Sequence, residues 1–448
     1  MRRGTAIALV ILASSLIAGS ALRAWLIPYS SGSDIPQFLG FADTLLRHGP
    51  CFYLYSGSEW ADAEDWPYNW PYLYGPVWAL ILGAVRLFTP NAWVQHYWEG
   101  GNYYVYVSAD WRTNLKVVMS AFDVIVAALV FLVLRGVVRE WVAAVAAGIY
   151  YLHPMVVYIS GIYGMFDQVA LVPFIASAAV ASRHPRVSGA LSAAAALTKQ
   201  TLLPPMAALF AWLAREPRRA GWFLVGAAIA AYVIIAPFAL GCPASIGAIL
   251  SAPLRSGEPG YTYPIVYSFN GVSSLATYLH DTTGGDYLWL IRYWYIPFIV
   301  LEALAVLAAI RSSNQWVPAL AAYAGFIAAY WRVNHQYLVP AIALALLAMP
   351  YLGRLGRATA SAFIAWSALW PFAFPIAWWF HVHIKEPDWG LVRFLEAHSL
   401  MIFDNSFYVA YSLTLTALAY ALAIYASWGG IRVIKEFLGQ EFKARTTH

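Results

Sequence analysis

The stretch "GALSAAAALTKQTLLPPMAAL", residues 189–209, decides how this chain is threaded. It lies in an apolar run over 188–214, long enough to cross a bilayer, which takes about 20 apolar residues. Lys199 stands in its middle, and a charge at the bilayer centre is costly. Read as one span, the run sends Arg215, Arg218 and Arg219 to the side opposite Arg183 and Arg186. Read as a hairpin of two short helices with Lys199 at the tip, it returns them to the same side. Basic residues collect on the cytoplasmic side of membrane proteins, so the hairpin is the expected form.

The rest of the chain follows from that choice. Of its 448 residues 61% are hydrophobic and 11% charged, against about 25% charged in soluble domains. The composition excludes a water-soluble protein. Apolar runs occur near 6–27, 113–134, 141–160, 220–241, 290–310, 316–332, 358–380 and 406–427, with shorter ones at 166–182 and 338–353. The expected fold class is an all-α polytopic membrane protein, a bundle of about 10–12 transmembrane helices. Arg2 and Arg3 place the N-terminus in the cytoplasm. Arg135, Arg139, Arg311, Arg354, Arg357 and the basic tail from Arg432 then fall on the same side. The net charge of +5 is therefore a signal of orientation and asks for no nucleic acid. The first run is a retained span. The apolar stretch 72–90 lies at or dips into the outer interface, because a span there would invert Arg135 and Arg139. Outer loop 1 then covers about 28–112, with juxtamembrane helices, and later outer loops fall near 242–289 and 381–405. Residues 1–240 form one transmembrane module and 241–448 a second. Cys51 and Cys242 share the outer side, where a disulfide is permitted; two free thiols fit the sequence equally well.

Several chemically useful residues come to one membrane face through this topology alone. Asp34 follows the first span in "YSSGSDIPQFLG". Asp167 ends "YGMFDQ". Lys199 is the hairpin tip. Asn270 lies in "YPIVYSFNG", and Arg332, His335 and Tyr337 in "WRVNHQYLVP". Singly, each has an ordinary structural use: a solvated loop acid, a helix cap, a snorkelling lysine. Together, two acids beside several cations at headgroup level suit a reaction between a hydroxyl and a phosphate-bearing lipid. An acid takes the proton of the attacking hydroxyl, and cations stabilise charge developing on the leaving phosphate. Asp123 and Glu302 lie inside spans, and Asp123 is expected to pair with a neighbour.

The order of the segments carries a family resemblance. One span is followed by an outer loop with Asp34 near its start, "RHGPCFY", "YGPVWALIL", "NLKVVMSAFDVIVAALVFLVLR", "YYLHPMVVYISGIYGMFDQ" and "GALSAAAALTKQTLLPP". It resembles the GT-C superfamily of membrane glycosyltransferases, nearest the mannosyltransferase branches that use dolichyl- or polyprenyl-phosphate sugars. "YGMFDQ" looks like that family's W-G-Q-x-D element, "ALTKQT" like A-x-x-x-K-P and "VNHQYLVPAI" like H-E-R-Y-L. The likeness covers residues 6–215 well and 260–350 more loosely. Some relatives carry Asp-x-Asp in the first loop; this chain has Asp34 alone. Met165 stands where the family often has Gln, and Gln336 where it often has Glu.

The resemblance implies an inverting transfer of a hexose, mannose or glucose first, from a polyprenyl-phosphate carrier to a lipid-linked glycan, glycolipid or protein at the outer face. In this reading Asp34 is the general base and Asp167 a second acid that positions donor or acceptor. Lys199, Arg332 and His335 hold the donor phosphate, and Asn270 and Tyr337 make secondary contacts. No cofactor is certain, and a divalent metal is possible. Asp34, Asp167 and His335 offer oxygen and nitrogen donors to a divalent metal, and metal dependence stays open. The alternative is a polytopic transporter or lipid flippase, which calls for inverted repeats and broken helices meeting at the midplane. A non-catalytic scaffold subunit is the third reading.

Overall fold

In lipid a backbone finds no water to bond, so long uncharged runs of Ala, Leu, Ile and Val close their hydrogen bonds within helices. The computed structural model describes residues 3–28, 31–256, 258–263, 265–373 and 404–431. In chain order these form α1 (Arg3–Leu26), α2 (Asp34–His48), α3 (Pro76–Phe88), the strands β1 (Val94–Glu99) and β2 (Asn102–Val107), α4 (Ala109–Leu134), α5 (Glu140–Leu152) and α6 (Pro154–Val157). There follow α7 (Asp167–Val180), α8 (Pro185–Ala196), α9 (Leu203–Leu213), α10 (Pro217–Gly241), α11 (Ser245–Ser251), α12 (Gly271–Thr283) and α13 (Trp289–Arg292). The last are α14 (Tyr295–Arg311), α15 (Trp316–Ala329), α16 (Leu338–Ala348), α17 (Arg354–Ala368), α18 (Trp370–Ala373) and α19 (Asn405–Ala426). The chain is an all-α polytopic membrane protein with one small antiparallel hairpin.

Among the described residues, five helices are long and apolar enough to cross a membrane: Gly4–Leu26, Ala109–Leu134, Pro217–Gly241, Trp289–Arg311 and Asn405–Ala426. α5 and its continuation Pro154–Tyr163, bent by 47°, make a sixth if the pair counts as one span. That is fewer than the 10–12 expected. The difference lies in short apolar helices such as Asp167–Val180 and Trp316–Ala329, each about 21 Å long at 1.5 Å per residue against a hydrocarbon core of about 30 Å. α15 and α16 are buried along their whole length, so other helices cover them. Most of the outer loop expected at 381–405, and the basic tail from Arg432, lie outside the described residues.

The 188–214 run is indeed a hairpin. α8 ends at Ala196, α9 begins at Leu203, and Lys199 sits in the break between them. Loop 1 pins the tip. The Val77 N–H donates to the Leu197 carbonyl at 3.1 Å, and the Gln200 side chain donates to the Leu73 carbonyl at 3.1 Å. Gly75 makes this approach feasible, because a Cβ there would lie 2.0 Å from the Leu197 oxygen.

Within loop 1, α3 is a 13-residue helix, too short to span. It buries Trp78, Leu82 and Val85, exposes Leu80, Leu87 and Phe88, and ties to α2 through Arg86 Nε and Asp43 at 2.6 Å. Cys51 and Cys242 are joined as a disulfide with Cα atoms 5.2 Å apart, fastening loop 1 to the end of α10. The pair of free thiols is thereby excluded.

Asp123 finds its partner in Arg23, a residue the sequence reading passed over. Arg23 Nη2 lies 3.2 Å from Asp123 Oδ2, with both side chains almost wholly buried. The Tyr150 hydroxyl donates to the other carboxylate oxygen at 3.0 Å, and Arg23 Nε donates to the Ser160 hydroxyl at 2.9 Å. This network joins α1, α4 and the bent pair. Removing one partner of a buried pair strands the other charge, at a cost of about 3–5 kcal/mol. Arg23→Leu is therefore expected to lower thermal stability sharply, and Arg23→Leu with Asp123→Leu to recover most of the loss. Equal stability of the single and double variants in a melting experiment would contradict this role.

Candidate active site

At the end of the bundle where α1 finishes, a cavity of about 590 Å³ opens between loop 1, the α8–α9 tip and the turn after α15. Its lining includes Asp34, Lys199, Arg255, Arg332, His335 and Tyr337. Residues separated by some 300 positions thus meet, and five of the seven predicted site residues lie on one wall or another.

Asp34 is the first residue of α2 and is half-buried, facing the cavity. Its Oδ2 accepts from the Tyr163 hydroxyl at 3.2 Å. Tyr163 ends a π-helical turn, Tyr158–Tyr163, that continues the bent helix. The next residue, Gly164, takes φ 85°, which a side chain would oppose. The Tyr163 carbonyl accepts from the Gly32 N–H at 2.7 Å, so one residue holds both the loop and its acid. Burial pushes the Asp34 carboxyl up to about 6. The Tyr163 bond and the charges of Lys199 and Arg332 act the other way.

Lys199 Nζ pairs with Asp167 Oδ2 at 2.6 Å, both side chains buried. The ammonium also lies 4.7 Å from the Phe166 ring centroid and 5.2 Å from that of Tyr337, positions that stabilise a cation. This changes the part expected of Asp167. It does not line the cavity. It stands behind Lys199 at the start of α7 and holds it through Oδ2, while Oδ1 is buried with no hydrogen-bond partner. Asn270 is also corrected. Its side-chain oxygen accepts from the Val272 and Ser273 N–H groups, and its amide donates to the Ala328 carbonyl at 2.9 Å. It caps α12 and lies off the cavity wall.

Arg332 is exposed in the turn after α15. Arg255, in the short turn Ala252–Ser256, is a cation the sequence reading missed; it lines the cavity, and its Nη1 is buried with no hydrogen-bond partner. Tyr163 was missed as well. Nothing in the local sequence of either residue marks it, since only the packing of distant segments brings it here. His335 and Gln336 also line the cavity.

Among the described residues, no three His, Cys, Asp or Glu side chains gather to hold a metal ion. Asp34, Asp167 and His335 therefore do not make a donor set.

No known family's sequence model matches the chain, and no curated protein matches it. Among solved structures, it is similar to the crystal structure of ArnT from Cupriavidus metallidurans in the apo state. The identity is 14% and the TM-score 0.39, over 95% of this chain and 76% of that one. A likeness so slight carries nothing about chemistry, which rests on the residues of the cavity.

Proposed function

We propose that the chain is a GT-C-type glycosyltransferase that moves a hexose from a polyprenyl-phosphate carrier to an acceptor hydroxyl at the outer membrane face. The observation that carries the reading is Asp34, half-buried, with a carboxyl that titrates at about 6, facing a cavity that also holds Lys199, Arg255 and Arg332. A carboxylate tuned toward neutrality can both exist as base and accept a proton usefully. The acceptor oxygen attacks the anomeric carbon while its proton passes to Asp34. The bond from that carbon to the phosphate oxygen breaks, inverting the centre. The carrier leaves as a phosphate monoester with one more negative charge, which Arg255 and Arg332 stabilise. Lys199, fixed by Asp167, adds a positive field from behind and a donor at the cavity wall. Tyr163 orients Asp34, and Tyr337 covers the lysine. Mannose and glucose are the first donors to try; the acceptor is a lipid-linked glycan, a glycolipid or a protein.

The test is incubation of purified protein with polyprenyl-phosphate mannose or glucose and a membrane lipid and protein extract, with identification of the labelled product. Transfer to an acceptor supports the reading, and its absence with both donors opposes it.

The outer placement of the site rests on the distribution of basic residues and has its own check. Both native cysteines are bridged, so a cysteine placed at Trp98, 73% exposed near the tip of the β-hairpin in loop 1, would be the reactive thiol. Trp98→Cys is expected to react with an impermeant maleimide applied to intact cells. Labelling only after the membrane is opened would invert the topology.

A further inference from the structure

We propose that the His335–Gln336 end of the cavity is a subsite for an uncharged, hydroxyl-bearing ring, the sugar of the donor; this rests on the transferase reading above. Both residues line the cavity, yet they are only 3% and 4% exposed. His335 Nδ1, His335 Nε2 and Gln336 Oε1 are all buried without a hydrogen-bond partner. Buried polar atoms in native proteins are rarely left unmet, and those that are point to a missing ligand or water.

The surroundings say what kind of ligand fits. The imidazole is stacked on Trp370 with centroids 5.2 Å apart, and the rings of Tyr163, Tyr158 and Phe269 stand edge-on at 4.4, 5.7 and 5.8 Å. Among the described residues no acid pairs with it. A neutral imidazole presents one donor and one acceptor, and the amide oxygen a second acceptor. A hydroxyl gives and takes hydrogen bonds at once, so one sugar hydroxyl can meet an imidazole nitrogen and a second the amide oxygen. A phosphate only accepts, and would leave the acceptors unmet. Of these rings Tyr163 also lines the cavity, and an aromatic ring beside polar groups suits a sugar. This reassigns His335 from the phosphate, where the sequence reading put it, to the sugar.

The experiment measures binding of three labelled lipids to purified protein: polyprenyl-phosphate mannose, its set of single-deoxy analogues, and bare polyprenyl phosphate. His335→Phe keeps the aromatic packing and removes both nitrogens; Gln336→Leu is a second, independent variant that spares the histidine. Each is expected to weaken the mannosyl donor about tenfold or more while leaving bare polyprenyl phosphate unchanged. At least one deoxy analogue should bind wild type as weakly as the variant binds the parent, and should lose nothing further on the variant, since the two changes remove the same contact. If both variants hold the mannosyl donor as tightly as wild type, the subsite is overturned. It is overturned equally if they weaken the sugar-free lipid to the same extent. If wild type binds neither lipid, the transferase reading fails and takes the subsite with it; the bare-lipid measurement separates that failure from the others.

Discussion

Asp34→Asn is expected to lower sugar-transfer turnover by about 10²–10⁴-fold, the range a positioned general base contributes, with donor affinity close to wild type. The amide matches the carboxylate in shape but cannot take the proton, so the loss falls on kcat and not on ground-state binding. The wild-type pH profile carries the same signature. The carboxyl is raised to about 6 by burial, and only its unprotonated form serves as base. Turnover should therefore be low at pH 5, rise through about pH 6 and level off above pH 7. Tyr163→Phe removes a hydrogen bond that favours the ionised form, so its acid limb should move to higher pH. A profile flat from pH 5 to 8, or an Asn variant with wild-type kcat, would take Asp34 out of the reaction.

The second large effect is expected at the cations. Charge-assisted hydrogen bonds contribute about 1.5–3 kcal/mol each, and 1.4 kcal/mol is a factor of ten. Arg255→Ala and Arg332→Ala should each weaken donor binding roughly ten- to a hundredfold. Because both face one anion, the double variant should depart from the product of the two. Lys199 is different in kind. It is held at 2.6 Å by the buried Asp167, so Lys199→Ala strands a buried carboxylate and should cost about 3–5 kcal/mol of stability. Lys199→Met with Asp167→Leu should fold better than Lys199→Ala alone, and should bind donor less tightly than wild type. Melting curves separate this from the arginine variants, which sit nearer solvent and should fold normally. Single arginine variants that bind donor as wild type does would move the phosphate elsewhere.

The level at which these groups meet was legible from charge and hydropathy alone. Lys199 interrupts an apolar run and Pro204–Pro205 follow it, so the break between α8 and α9 is written locally. Asp34, Arg332, His335 and Tyr337 were placed at the same face by counting spans. What the sequence hid was pairing. An Asp at a helix start reads the same whether it faces substrate or a lysine 32 positions away, and Asp167 proved to be the second. The Asn270 cap and the β-hairpin had local signals. Asn270 is followed by a Gly and two serines at a helix start. Gly100–Gly101, with φ of 59° and 83°, joins two alternating strands, the turn type such hairpins favour. Arg255 and the Arg23–Asp123 pair had none, since their meaning lies in residues about a hundred positions or more distant.

The most direct test of the account sets wild type and Asp34→Asn side by side in lipid nanodiscs with doubly labelled polyprenyl-phosphate hexose and acceptor extract. It counts polyprenyl phosphate released against sugar transferred at pH 7. The expected result is one carrier released per sugar transferred by wild type, and neither from the Asn variant although it binds the donor. Equal transfer by both proteins, or carrier release with no transfer, would contradict it.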